Sequence, residues 1–107
     1  MRKRLLILAL VSLFAVGGVL AAQALAATKK VTIGDNFFSK SKLTVRKGTK
    51  VTWRWTGHNT HNVTSSGHFS SPTKTSGTYS RTFKKKGTFT VICTIHPSQM
   101  RMKVVVK

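Results

Sequence analysis

The feature that most limits what this chain can fold into is a hydrophobic period of two. Val51, Trp53 and Trp55 share one phase against Thr52, Arg54 and Thr56. Phe89, Val91 and Cys93 form a second such run, and Met102, Val104 and Val106 a third. Successive side chains of a strand point to opposite faces, so each run has one dry face and one wet face. Shorter alternations stand at Val31/Ile33, at Leu43/Val45 and at Tyr79/Arg81/Phe83. Turn chemistry separates them: Gly34-Asp35-Asn36, Lys47-Gly48 and Lys84-Lys85-Lys86-Gly87. His61 to Ser65 reads as one more short strand. Ser66 to Gly77, rich in Ser, Thr and Gly, reads as a long loop. No helical period and no internal repeat appears after residue 26. About seven short strands with frequent turns predict an all-β antiparallel sandwich. Trp53, Trp55, Phe37 and Phe38 are expected in its core.

Residues 1–26 read as something other than the fold. Arg2, Lys3 and Arg4 precede an apolar run, and Ala24-Leu25-Ala26 is a small-x-small cleavage pattern. This predicts a signal peptide cut after Ala26. The alternative is an uncleaved N-terminal anchor, since Leu5 to Ala22 is long enough to approach a bilayer span. Both readings place the domain, residues 27–107, outside the cytoplasm: periplasmic, cell-surface or secreted.

The chain holds 19 Lys and Arg against one acid, Asp35, a net charge of +18. One carboxylate excludes paired-acid catalysis, all-carboxylate calcium or magnesium cages and two-metal hydrolysis. No catalytic residue and no enzyme activity is expected. One cysteine excludes an internal disulfide. A small exported domain with a thin core draws support from disulfides or a metal, so a metal is the expectation here. The cationic surface predicts salt-sensitive attraction to an anionic partner, whether an acidic redox protein, a membrane or a cell-wall polymer. Nucleic acid is disfavoured, because no basic recognition helix is present. The repulsion between such chains favours a monomer. The lysines 84–86 read first as a solvated turn.

One constellation carries chemistry. Cys93-Thr-Ile-His96-Pro-Ser-Gln-Met100 supplies a thiolate, an imidazole and a thioether within eight residues, and His61 precedes Asn62-Val63. Soft sulfur donors with two imidazoles select copper, in a trigonal His2Cys arrangement with a weak axial Met. Structural zinc has little use for Met. Met102 is the rival of Met100, but it shares the phase of Val104 and Val106 and reads as strand core. His58 and His68 read as solvent-facing.

These motifs resemble those of the cupredoxins, in particular the small plastocyanin-, amicyanin- and halocyanin-like blue copper proteins. The likeness runs through Val51 to Val63, Ser76 to Cys93 and the Cys93–Met100 loop. It implies a Greek-key β-sandwich binding one copper ion, with His61, Cys93, His96 and Met100 as ligands. It implies that Asn62 ties the two ligand segments together and donates toward the cysteine sulfur, with Thr94 the hydroxyl beside the cysteine. His96 and Pro97 would form the edge where electrons enter and leave. The implied function is a one-electron carrier between redox partners. An extracytoplasmic copper carrier or buffer is the alternative, and a metal-free polycationic interaction module a more distant one.

Overall fold

A computed structural model describes residues 27–107. The signal or anchor expected over residues 1–26 lies outside the described residues. Nine strands form in chain order: β1 Thr28–Gly34, β2 Phe37–Phe38, β3 Lys42–Val45, β4 Thr49–Trp55, β5 Thr64–Ser65, β6 Phe69–Ser70, β7 Gly77–Phe83, β8 Gly87–Ile92 and β9 Arg101–Val106. They make two sheets, ordered β2-β1-β4-β7 and β3-β9-β8-β5-β6. The all-β sandwich expected from the sequence is therefore present.

The alternation in sequence becomes alternation in burial. In β4, Val51, Trp53 and Trp55 are buried while Lys50 and Arg54 are exposed. In β9, Met102, Val104 and Val106 point inward and Arg101 and Lys103 outward. Trp53 is fully buried and faces the rings of Phe69, Tyr79 and Phe83 at 6.2–6.4 Å between centroids. The buried hydrophobic side chains among the described residues, from Val31 to Val106, form one cluster between the sheets. The core is thus closed by the domain's own strands.

Three features depart from the sequence reading. The sheets are mixed, because β1 pairs in parallel with β4 and β3 in parallel with β9. The chain crosses from one sheet to the other between these partners, and a strand reached by crossover returns in the same direction. Strands β2, β5 and β6 are two residues long, too short to show a period, so Phe69–Ser70 read as loop. Phe37 is half exposed, while its neighbour Phe38 is buried. The Phe37 ring instead lies over Gly34, where no Cβ would fit.

Strand register defines two poles. At one, β8 ends and β9 begins, with Ile92 opposite Arg101 and Trp55 opposite Gly77. At the other, Gly87 faces Val106, Thr49 faces Phe83, and Lys50 N–H donates to Ala27 O at 3.0 Å.

Candidate metal centre

The residues singled out in the sequence gather at the first pole. Cys93 follows β8 directly and Met100 precedes β9, so they form the neck of the connecting loop. Cys93 N–H donates to Met100 O at 3.1 Å. Inside the loop, His96 N–H donates to Cys93 O and Met100 N–H to His96 O at 2.8 Å. These bonds hold an eight-residue loop against its own backbone. Cys93 and Met100 are wholly buried and His96 is half-buried. Pro97 is exposed beside it, as is Ile95.

His61 comes from between β4 and β5. Its backbone N–H donates to Lys74 O, and its carbonyl accepts Lys74 N–H, both at 3.0 Å. The same carbonyl accepts the Trp55 indole N–H at 3.2 Å. The side chain is 1% exposed. Nδ1 lies 3.9 Å from Cys93 Sγ, and the His61 and His96 ring centroids are 5.5 Å apart.

His61 Nε2 lies 3.2 Å from Asp35 Oδ1. An ionised carboxylate only accepts, so Nε2 carries the proton shared with it, and Nδ1 is the nitrogen turned toward the sulfur. Asp35 sits in the turn after β1 and accepts the backbone N–H groups of His58 and Asn59 at 2.8 Å. Those two N–H groups, helped by His61, lower its carboxyl from 3.8 to about 2. Gly57 packs so closely on this carboxylate that a Cβ would have no room.

Asn62, 4% exposed, bridges the two ligand segments. Its amide donates to Thr94 Oγ1 at 2.8 Å and to Thr73 Oγ1 at 3.1 Å. Its carbonyl accepts Thr94 N–H at 3.1 Å and the Thr64 hydroxyl at 2.9 Å. Both amide protons are used on hydroxyls, so neither goes to the Cys93 sulfur. Thr94 thus acts as the far anchor of this bridge.

The remaining candidates fall elsewhere. Met102 is buried within β9 opposite Val91. His58 is exposed and contributes only its backbone N–H to Asp35. His68 is exposed and packs edge-on against Phe89, at 5.0 Å. Asp35 and Trp55 are the residues that sequence reasoning missed as parts of the site. The signal for Asp35 was its solitude, since a single acid in so basic a chain invites the question of what it serves.

Among the described residues, no three His, Cys, Asp or Glu side chains are already closed onto one point. The fit to a metal rests on donor chemistry: a buried thiol, a buried thioether, and two imidazoles. One imidazole has its second nitrogen held by a carboxylate, the arrangement that orients metal-binding histidines. That set suits copper.

The model of copper-binding proteins of the plastocyanin/azurin family matches residues 25–107. An oxidised amicyanin variant is similar in structure at 32% identity, covering 77% of this chain and 90% of its own, with a TM-score of 0.69. A reduced amicyanin variant is 30% identical, covering 81% and 89%, with a TM-score of 0.66. A purple cupredoxin from Nitrosopumilus maritimus shares the fold at 24% identity, covering 74% and 99%, with a TM-score of 0.67. No curated protein matches the chain.

Proposed function

Because this chain belongs to the plastocyanin/azurin family of copper-binding proteins, we propose that it is an exported blue copper protein carrying single electrons between larger redox partners. Copper is its cofactor, one ion per chain. When bound, copper supplies a one-electron Cu(II)/Cu(I) couple. His61, Cys93, His96 and Met100 would hold it. Asp35 fixes the proton of His61 on Nε2. The bonds within the Cys93–Met100 loop and the Asn62 bridge restrain the donors, so little rearrangement accompanies a change of charge. His96, flanked by exposed Ile95 and Pro97, is the edge that a redox partner meets. No substrate and no bond-making step is involved.

The observation that carries this reading is the 3.9 Å approach of His61 Nδ1 to Cys93 Sγ in a buried site, with Nε2 committed to Asp35. Amicyanin, which the chain is similar to, occurs in oxidised and Cu(I) forms. The test is the visible spectrum of the domain after addition of Cu(II), with Cys93→Ser as control. An intense band that vanishes on reduction and is missing in the control is the expected result. A pale, Cys93-independent spectrum would defeat the reading.

A further inference from the structure

The cations are distributed unevenly between the two poles. At the pole away from the metal centre, the turns bring together Arg46, Lys47, Lys84, Lys85, Lys86 and Lys107, all exposed. The backbone ties these turns to one another: Lys47 N–H donates to Lys107 O at 3.0 Å and Gly48 N–H to Phe83 O at 2.7 Å. Lys29 and Lys50, opposite each other's neighbours at the start of β1 and β4, extend the patch. An open groove there is walled by Lys47, His68 and the three lysines of the β7–β8 turn. At the metal-centre pole Arg54, Lys74 and Arg101 stand near strand ends, and there the one acid of the chain, Asp35, offsets part of their charge. With Lys29 and Lys50, the far pole holds eight of the sixteen Lys and Arg residues in 27–107.

This patch does not serve the electron-exchange edge. Lys86 and Cys93 are separated by the full length of β8, roughly 20 Å at the rise of a strand. That exceeds two Debye lengths at physiological salt, so a partner at His96 is screened from the lysines. The patch has a different neighbour. Ala27 is bonded to Lys50 at this same pole, and residues 1–26, with their apolar run, are joined to Ala27. Cations clustered at the point where a chain leaves an apolar segment are placed to meet lipid phosphates.

We propose that the pole formed by Arg46, Lys47, Lys84–Lys86 and Lys107 is a docking surface for an anionic membrane, which orients the domain with His96 facing away from the lipid. Phosphate headgroups supply the complementary charge. The contact needs neither the metal nor residues 1–26, since the domain closes its own core.

The experiment is co-sedimentation of residues 27–107 with vesicles of phosphatidylcholine, with and without phosphatidylglycerol. Binding is expected only to the anionic vesicles, and it should weaken as salt rises. Neutralising Lys84, Lys85 and Lys86 together to Gln should weaken binding about a hundredfold. That is about fivefold, or ~1 kcal/mol, for each lysine at an anionic surface. The pair Arg54→Gln and Arg101→Gln, at the other pole, should change it by less than about twofold, because those side chains face away beyond the screening length. Thermal melts of both variants establish that each is folded. Equal weakening by the two variants would overturn the proposal, since the attraction would then be undirected net charge. So would a failure to bind anionic vesicles, even if the patch retained acidic proteins. Neither outcome bears on the copper spectrum.

Discussion

Replacing Asn62 by Ala tests whether the two ligand segments are held by one side chain. The amide makes four hydrogen bonds across a sequence gap of 32 residues at its widest, to Thr94, Thr73 and Thr64. An intramolecular hydrogen bond contributes about 0.5–1.5 kcal/mol net when its partner can return to water. Thr94 and Thr73 are exposed, so their groups rehydrate in the variant. Four bonds at the lower half of that range give a loss of about 2–4 kcal/mol. For a domain of this size each kcal/mol moves the melting temperature by about 4–8 °C. The copper-free Asn62→Ala protein should therefore melt roughly 10–25 °C below the parent in a calorimetric or circular-dichroism scan. Thr73→Val removes one of the four bonds at an exposed position and should cost only a few tenths to about 1 kcal/mol. If Asn62→Ala melts no lower than Thr73→Val, the bridge is decorative and the segments are held by packing alone.

Four other outcomes follow from the same contacts. The ionised Asp35 stabilises the fold above the carboxyl's unfolded value near 3.8, and that contribution fades as pH falls toward about 2. The melting-temperature gap between parent and Asp35→Asn should then be open at neutral pH and close on acidification, whereas a gap independent of pH would refute the assignment. Gly57→Ala, whose new methyl group needs the space of the Asp35 carboxylate, should lower the melting temperature at neutral pH and add little to Asp35→Asn in the double variant. Met102→Leu, a volume-conserving swap in β9, should cost less than about 1.5 kcal/mol and leave the copper spectrum unchanged, while Met100→Leu alters it; the reverse result would exchange the two methionines. Trp53→Ala, which empties the centre of the aromatic cluster, should cost about 3–5 kcal/mol in a denaturant titration.

Local chemistry was legible in the chain and tertiary pairing was not. The phases of Val51/Trp53/Trp55 and Met102/Val104/Val106 announce strands with one dry face, and the sandwich follows from them. The placement of Met102 in the core and of Lys84–Lys86 in an exposed turn follows from the same period. What failed were statements that need a second segment. Nothing within Thr28–Gly34 says that its partner runs parallel, because that is decided by a crossover elsewhere in the chain. Phe37 and Phe38 are adjacent in one strand, so only one ring can face the core, and the pairing of β2 with β1 decides which. Asp35 could be counted from the sequence, yet its bond to His61 spans 26 residues. The sequence reading expected Asn62 to donate toward the Cys93 sulfur, whereas its amide protons go to the hydroxyls of Thr94 and Thr73, which lie 32 and 11 residues away.

The order of strands in the second sheet also governs when the protein can fold. β9, made last, lies between β3 and β8, so the middle of that sheet is missing until the final residues exist. β3 waits for a partner some 60 positions later in the chain, a separation that makes folding slow by topology alone. The second sheet therefore stays open ahead of Val106, although the four strands of the first sheet, β2-β1-β4-β7, all precede residue 84. Closure of the two sheets on each other is thus a late event that waits for Arg101–Val106 to take its place between β3 and β8.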